Sequence, residues 1–345
     1  MSRSQSPTDG STLNGKKSNP APDVIGILAG KGGVGKSTIT VELALVLRQK
    51  GYKVGVLDGD IYGPSIRHLL PEDTPPKAVG EKVLPAISQG IAVISSAYFP
   101  KRGGPVGVRA PIANQIIAQF IEEVEWGAID FLVVDFPPGT GDIQITLMQR
   151  LFFTGAIVVT TPEGLSLLDV QKSMDMCLQM GVPILGVLEN MSYYLASGDE
   201  TRHYLFGRGG GKSLAEAFGV PLIGEIPIDR GLNRQSVEKI SAPLFQELGK
   251  TVIDGTDREK GCEIKGVDRY HFSIEWSDGK KSLYRFGAVQ ERCPCSACRM
   301  KKETRLVDVE GLAIDPIGNY GVRFRFSKGC SKGIYPFSYL RRLDR

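Results

Sequence analysis

Between residue 23 and about residue 250, short apolar runs alternate along the chain with stretches whose apolar residues recur at helical spacing. The apolar runs are rich in β-branched residues and predict buried strands at 24–29, 54–57, 91–94, 131–134, 156–160, 184–188 and 222–226. The helical spacing predicts helices at 37–50, 112–124 and 165–180. Strands and helices that alternate in this way predict an α/β fold, with a mostly parallel sheet covered by helices on both faces.

The pattern changes on either side of this region. Residues 1–22 are rich in Ser and Pro and contain no apolar stretch, which predicts a disordered tail and no secretory signal. Residues 251–261 are polar and predict a linker. Beyond them, apolar and polar residues alternate at 270–276, 283–286 and 322–326, an Asp-Gly turn follows the first of these runs, and 335–343 has a helical pattern. Residues 262–345 are therefore predicted to form a small α+β domain.

Composition narrows the class of protein. The 345 residues are 41% hydrophobic and 23% charged, which supports a packed core and excludes wholesale disorder. Six cysteines are too few for a disulfide framework, so reduced thiols are expected. No apolar run reaches the roughly 18 residues of a membrane helix. The net charge is only +4, but residues 262–345 hold 17 Lys and Arg against 10 Asp and Glu.

A glycine-rich segment joins the first predicted strand to the first predicted helix. It reads Gly30, Lys31, Gly32, Gly33, Val34, Gly35, Lys36, Ser37 and then Thr38. This matches G-x-x-x-x-G-K-S/T in the strand–loop–helix context of a phosphate-binding loop, where backbone N–H groups and the helix N-terminus face the phosphates. Lys36 is expected to reach the β- and γ-phosphates, and Ser37 to bind Mg²⁺. ATP and Mg²⁺ are therefore the expected cofactors.

Lys31 adds a second lysine to the loop and makes it resemble the deviant Walker A family. That family contains MinD, the ParA-type partition ATPases, the nitrogenase iron protein and the Mrp-type proteins. The resemblance implies a homodimer that sandwiches the nucleotide, in which Lys31 reaches the phosphates bound by the other subunit. The alternative is an ordinary solvated loop lysine.

Further segments follow in the order of this family. Residues 57–65 resemble switch I, which makes Asp60 a candidate to position the attacking water and Asp58 a candidate for the Mg²⁺ shell, although both carboxylates suit helix caps as well. Residues 131–142 resemble Walker B and switch II, and Asp135 ends the buried strand that delivers a carboxylate to the metal. Lys31, Lys36 and Asp60 are the expected catalytic residues.

The nucleotide base has its own expected contacts. Residues 189–191 resemble the adenine-contacting segment of the family, with Asn190 as the base ligand. The same resemblance implies that Pro227 and Asp229 flank the base.

Four segments are similar to the Mrp/ApbC branch in particular, namely residues 60–65, 135–142, 189–193 and 206–212. Proteins of this branch bind iron–sulfur clusters and pass them to apoproteins, so the resemblance implies an ATPase domain at 23–250 that serves client apoproteins. The chain departs from the branch in one respect. Relatives carry a C-x-x-C pair shortly after residue 193, whereas residues 194–199 here contain no cysteine. Cys177 lies in an apolar helical pattern and is expected in the core.

The C-terminal region carries a second group of cysteines. Cys293, Cys295 and Cys298 form C-x-C-x-x-C, a compact set of soft ligands for zinc or an iron–sulfur cluster. The region resembles a small domain at the N-terminus of γ-butyrobetaine hydroxylases and the tail domain of plastid relatives of Mrp that carry 4Fe-4S clusters. In the family the fourth ligand is a histidine before S-x-G-I-Y, and this chain has Cys330 in that place, which would make a four-cysteine site. Cys262 is a weaker candidate for that position.

Three functions are consistent with these features. The first is an ATP-hydrolysing iron–sulfur carrier, the second a MinD- or ParA-like positioning ATPase, and the third an ATPase whose C-terminal domain holds structural zinc. No membrane or nucleic acid partner is expected. The expected location is the cytoplasm, with a plastid or another organelle stroma as the alternative.

Overall fold

The computed structural model describes residues 19–99, 110–196, 201–228, 234–257, 262–276, 278–293, 298, 308–317, 321–331 and 333–343. The first part contains these strands: β1 Asp23–Ala29, β2 Val54–Asp58, β3 Lys77–Val79, β4 Lys82–Leu84, β5 Ala86–Ser88, β6 Ile91–Ile94, β7 Phe131–Asp135, β8 Gly155–Thr160, β9 Ile184–Glu189, β10 Tyr194–Leu195, β11 Arg202–His203 and β12 Leu222–Glu225. Its helices are α1 Lys36–Gln49, α2 Ile66–Leu69, α3 Ala110–Glu122, α4 Asp142–Arg150, α5 Gly164–Met180, α6 Gly210–Phe218 and α7 Arg234–Asp257.

Eight of these strands form one sheet in the order β12-β9-β8-β1-β7-β2-β6-β5. Every neighbouring pair is parallel except β5 and β6, which are antiparallel. These two strands are joined by Gln89 and Gly90, both with positive φ, as a two-residue hairpin turn requires. The predicted α/β fold with a mostly parallel sheet is confirmed.

Each face of the sheet is covered by an apolar core. One core contains Phe120 of α3 and Leu147 of α4, and the other contains Leu47 of α1 and Leu248 of α7. Cys177 is fully buried in the first core, as predicted, and none of the five described cysteines forms a disulfide. Within the described residues, no helix has both the length and the apolarity needed to cross a membrane.

The structure corrects the first part of the predicted linker at 251–261, and residues 258–261 lie outside the described residues. Helix α7 continues through Asp257, because Val252 is fully buried and packs in the same core as Leu248. Polar residues between the buried positions made this last part of an amphipathic helix resemble a linker. The division of the chain into domains at this point stays a prediction.

The C-terminal region is built from β13 Glu263–Gly266, β14 His271–Glu275, β15 Lys281–Arg285, β16 Gly311–Ile317, β17 Gly321–Phe326, β18 Ile334–Pro336, α8 Phe286–Glu291 and α9 Phe337–Leu343. The strands form two three-stranded antiparallel sheets, β13-β14-β15 and β16-β17-β18. An aromatic core fills this region, in which the rings of Phe272 and Phe324 are 4.6 Å apart. The predicted small α+β unit and its first hairpin are confirmed.

The last predicted helix starts later than expected. Tyr335 belongs to β18 and pairs with Val322 of β17, so the helix begins only at Phe337. A residue that precedes proline is disfavoured in the helical conformation, and Tyr335 precedes Pro336.

Candidate functional site

The phosphate-binding loop lies where the carboxyl ends of the parallel strands meet. It connects β1 to α1, and Thr38 is exposed on the first turn of that helix. Gly35 has a φ of 87° and lies so close to Asn190 that a Cβ at this position would be 2.3 Å from the Asn190 amide nitrogen. That amide donates a hydrogen bond of 2.8 Å to the carbonyl of Val34. The structure therefore brings the loop and the predicted base ligand together.

Asp135, the last residue of β7, accepts hydrogen bonds from three side chains of α1. The donors are Lys36 Nζ at 2.6 Å, Ser37 Oγ at 2.6 Å and Thr40 Oγ1 at 2.9 Å. Asp135 and Thr40 are fully buried, and Lys36 is 7% exposed. A buried carboxylate is stable only when it is paired and hydrogen-bonded, and this set satisfies that condition.

Asp58 ends the neighbouring strand β2 and lies opposite Asp135 in the sheet register. It is fully buried and accepts hydrogen bonds from Ser95 Oγ at 2.8 Å and from the N–H of Asp60 at 3.1 Å. Burial, followed by the nearby charge of Asp135, raises the pKa of Asp58 to about 7. Two adjacent carboxyl groups and the Ser37 hydroxyl share this site with one lysine, so the donor set fits a hard divalent cation such as Mg²⁺.

Asp60 lies in the loop after β2. Its carboxylate accepts a hydrogen bond of 3.0 Å from the N–H of Gly63, which holds the side chain against its own loop. Its expected role in positioning water stays a prediction.

Lys31 forms an ion pair with Glu163, which lies between β8 and α5. The two side chains are 38% and 50% exposed, so solvent screens the pair. In this structure the lysine is held by a carboxylate of its own subunit.

The segment around Asn190 is tied to the loop that contains Pro227. Ser192 N donates to the carbonyl of Ile226 at 2.9 Å, and Ile228 N donates to the carbonyl of Tyr193 at 2.7 Å. Pro227 is buried between these two bonds and so lies beside the Asn190 segment, and its contact with the base stays a prediction. Asp229 lies outside the described residues.

The second candidate site consists of thiols in the C-terminal region. The sulfur atoms of Cys293, Cys298 and Cys330 lie within 4.8 Å of one another. Cys293 follows α8 and is buried, whereas Cys298 and Cys330 are half-buried. Cys295 lies outside the described residues, and Cys262 does not belong to this group. Three soft ligands at this spacing fit a thiophilic metal or cluster.

A buried hydroxyl lies beside these thiols. Tyr335 is fully buried, and among the described residues its hydroxyl makes no hydrogen bond of regular geometry. Burial and then the Cys293 thiol raise the pKa of Tyr335 above its ordinary value. A buried hydroxyl whose neighbours include the weakly accepting thiols of Cys293 and Cys330 fits a site that is completed by a bound group.

Sequence reasoning missed three residues of the nucleotide site. Thr40 lies one helical turn after Lys36, so helical spacing could have predicted that both face the site. Ser95 directly follows strand β6 at the same sheet edge as Asp58, so the strand end could have predicted its position. No pattern indicated Glu163, because its contact with Lys31 joins loops that are 132 residues apart in the chain.

The fold and the loop together define a nucleotide-binding P-loop NTPase. The family model described as ParA, NUBPL iron-transfer P-loop NTPase, matches residues 21–251, and the chain belongs to that family. A second model, the N-terminal domain of γ-butyrobetaine hydroxylase-like proteins, matches residues 265–341.

Individual relatives agree with this assignment. An iron–sulfur cluster carrier protein of Aquifex aeolicus is 42% identical over 217 residues, which are 62% of this chain and 60% of the relative. A protein of the same description from Methanococcus maripaludis is 40% identical over 68% of this chain and 86% of the relative. A nucleotide-binding protein of Archaeoglobus fulgidus, solved in complex with ADP, is 36% identical with a TM-score of 0.54, covering 66% of this chain and 88% of that one. The chain thus spans about 60% of the length of the Aquifex relative.

Proposed function

We propose that this protein is an ATP-hydrolysing carrier that works as a homodimer, holds iron–sulfur clusters and transfers them to client apoproteins. One observation carries the proposal: a phosphate-binding loop with its acidic partners and a group of three thiols occur on the same chain. The family match favours a carrier over a positioning ATPase. We further propose that residues 23–250 form the ATPase domain and residues 262–345 the thiol domain. The cytoplasmic or organellar location stays a prediction.

We infer that, when ATP binds, side chains of the phosphate-binding loop exchange their protein partners for the phosphates. Lys36 leaves Asp135 for the β- and γ-phosphates, while the backbone of residues 30–35 faces the phosphate oxygens. Ser37 and Asp135 would hold Mg²⁺, with Asp58 beside them, and the bound ion neutralises phosphate charge. Asn190, Pro227 and Asp229 are the proposed contacts of the adenine.

Hydrolysis is proposed as an in-line displacement. Water attacks the γ-phosphorus, the bond from that phosphorus to the β–γ bridging oxygen breaks, and ADP and inorganic phosphate result. Asp60 is proposed to orient the water, and Lys31 to leave Glu163 and stabilise the phosphates bound by the other subunit.

The thiol site is proposed to hold the transferred cluster. Cys293, Cys298 and Cys330 supply three ligands, and Cys295 is the proposed fourth, which gives the four-thiolate set of a 4Fe-4S cluster. A structural zinc site is the second candidate, and it is favoured by the burial of Cys293 in the aromatic core, since structural zinc sites are closed.

Metal and sulfide analysis after anaerobic purification and reconstitution tests the proposal. We expect iron and sulfide together, the broad visible absorption of an iron–sulfur cluster, and transfer of the cluster to an apoprotein. Cys293→Ser should abolish the absorption, whereas Cys177→Ser, which changes a thiol buried in the other domain, should keep it. Stoichiometric zinc without iron would support the structural site instead.

The nucleotide half of the proposal is tested separately. Lys36→Met should remove ATP hydrolysis and ATP-dependent dimerisation, because Lys31, the other lysine of the loop, is proposed to serve the phosphates of the other subunit and does not replace this ammonium. Cluster content should survive this substitution. A Lys36→Met chain that hydrolyses ATP at the wild-type rate would contradict the proposed site.

A further inference from the structure

Tyr335 occupies the middle of the C-terminal aromatic core. It lies in β18 opposite Val322, and its ring centroid is 5.1 Å from that of Phe324 and 6.3 Å from that of Tyr339. The side chain is fully buried. Phenylalanine would fill the same space, so packing alone does not explain a hydroxyl here.

The other buried polar aromatic groups of this region are satisfied within it. Tyr284 Oη donates to the carbonyl of Leu340 at 3.0 Å, and Trp276 Nε1 donates to Ser282 Oγ at 2.7 Å. The hydroxyl of Tyr335 differs, because among the described residues it makes no hydrogen bond of regular geometry. Buried hydroxyl groups without a partner are rare and unfavourable.

Two thiols and the side chain of Tyr339 lie near this hydroxyl. Cys293 and then Cys330 are the cysteines whose nearby sulfur atoms raise the pKa of Tyr335, in addition to its burial. Both belong to the group whose sulfur atoms lie within 4.8 Å of one another. A neutral thiol carries its own proton and is a weak acceptor, whereas a metal-bound thiolate has lost that proton and is a strong one.

We propose that Tyr335 is a positioning residue of the thiol site, whose hydroxyl donates a hydrogen bond to the sulfur of Cys293 when that sulfur binds a metal ion or cluster as thiolate. The inference rests on the proposed thiol site and adds a residue to it. The bond would fix the orientation of the Cys293 side chain and withdraw electron density from its sulfur, which are the two effects that hydrogen bonds have on metal ligands. The hydroxyl, for which the Cys293 thiol is only a weak acceptor, then has a strong acceptor in the loaded chain.

Binding of Co²⁺ to the full-length chain under anaerobic conditions tests the inference, since cobalt–thiolate bonds give a charge-transfer band in the near ultraviolet. Tyr335→Phe is expected to bind Co²⁺ about 10- to 100-fold more weakly and to shift the band, as is typical when a ligand loses its hydrogen-bond partner. Tyr284→Phe is the matched control, because it removes a buried hydroxyl that is already satisfied by a backbone carbonyl. It should change neither the affinity nor the band.

The melting temperatures of the metal-free variants show whether Tyr335 acts on the metal ligand or only stabilises the fold. Tyr335→Phe should melt at or above the wild-type temperature, because it removes an unsatisfied hydroxyl, whereas Tyr284→Phe should melt lower. Wild-type affinity and an unshifted band in Tyr335→Phe would overturn the role of Tyr335 and leave the thiol site intact. Absence of a cobalt–thiolate band in the unchanged chain would overturn the thiol site itself, and the inference with it.

A second measurement does not depend on the variant. In the unchanged cobalt-loaded chain, exchange into D₂O should shift the metal–sulfur stretching frequency in the resonance Raman spectrum, because a hydrogen bond to sulfur is altered by deuterium. A spectrum that is identical in both solvents would overturn the proposed bond.

Discussion

At the scale of single residues, the nucleotide site is organised around two adjacent acids with different partners. Asp135 accepts three hydrogen bonds, one of them from an ammonium group, whereas Asp58 has only a hydroxyl and a backbone N–H. Both are fully buried. Burial and then the neighbouring charge of Asp135 make the charged form of Asp58 unfavourable and raise its pKa.

Replacement of Asp58 by Asn should change how stability depends on pH. The folded chain holds this proton up to about pH 7, whereas the unfolded chain releases it near the ordinary value of 3.8. The associated stabilisation is complete below pH 3.8 and is lost as the pH rises through 7. Without nucleotide and Mg²⁺, Asp58→Asn should therefore raise the free energy of unfolding at pH 8 by up to about 4 kcal/mol, and by less at pH 5.

Urea unfolding at the two pH values measures this difference. Asp73→Asn is the control, since Asp73 is an exposed acid that accepts one backbone hydrogen bond, and its variant should keep the wild-type pH dependence. An Asp58→Asn chain with the same pH dependence as the wild type would contradict the assignment.

Sequence motifs identified Asp58, Asp135, Lys36 and Ser37 because each stands at a fixed distance from a strand end or a glycine loop. Motifs do not specify which of two neighbouring acids receives the lysine. That choice follows from the register that sets Asp58 opposite Asp135 and from the way α1 leaves the loop, both of which depend on the whole sheet.

At the scale of elements, loops at the carboxyl edge of the sheet hold each other through side chains. The Lys31–Glu163 pair joins the phosphate-binding loop to the start of α5, and the Asn190 amide joins the same loop to the segment after β9. The loop that binds phosphate is thus fixed from two sides before nucleotide arrives.

Glu163→Gln should strengthen the proposed ATP-dependent dimerisation. The substitution releases Lys31 from its own subunit, so the lysine no longer has to break an ion pair to reach the other one. Because an exposed pair contributes about 0.2–1 kcal/mol and each of the two subunits releases one pair, the dimerisation constant should rise about 2- to 30-fold. Sedimentation with a non-hydrolysable ATP analogue measures the change.

Asp169→Asn is the matched control for this experiment. It releases Lys172 from a similar exposed ion pair on α5, and it changes only a carboxylate that pairs with Lys172, not the Asp169 backbone that packs on Gly30. Dimerisation should therefore stay unchanged. Weaker dimerisation of Glu163→Gln would argue that Glu163 supports the dimer rather than restrains Lys31.

Val252→Ala tests whether α7 continues past residue 250, where the sequence predicted a linker. The valine is fully buried against the core that contains Leu47, so its truncation should lower the free energy of unfolding by about 2 kcal/mol. Lys250→Ala changes an exposed residue of the same helix and should cost little. If Val252→Ala unfolds at the wild-type urea concentration, the segment does not pack as described.

The sequence predicted correctly the elements that have a clear hydrophobic pattern of their own. It did not predict the bounds of elements whose structure depends on residues distant in the chain. The central strands are continuous apolar runs, and their positions followed from the sequence. The residues after 250 are polar apart from a few buried positions, so only the presence of α1 beside them reveals a helix. Tyr335 fits a helical pattern, but its pairing with β17 and the following proline place it in a strand.

At the scale of the whole molecule, two candidate sites of different chemistry occupy two regions of the chain. One is an oxygen- and nitrogen-lined phosphate site at the edge of the parallel sheet, and the other is a thiol group in the aromatic C-terminal core. A ligand that binds only the folded form stabilises the region it binds.

Thermal unfolding followed by calorimetry should separate the two regions. Mg²⁺ with ADP should raise the transition of the sheet region, and a thiophilic metal should raise that of the C-terminal region, each by several degrees at saturation. Lys36→Met should remove the first shift alone, and Cys293→Ser the second alone. If both ligands move one common transition in every variant, the two regions unfold as a unit.

The hydrogen bonds of Asp135 have a consequence for how ATP and magnesium influence each other. Lys36 and Ser37 serve as the cationic and hydroxyl partners of this acid in the free protein, so phosphate groups can recruit the lysine only by leaving a buried carboxylate without its counter-charge. Magnesium at the proposed site would supply a replacement charge. We therefore expect the two ligands to be positive heterotropic effectors of one another, and by thermodynamic reciprocity the factor by which magnesium tightens ATP would equal the factor by which ATP tightens magnesium.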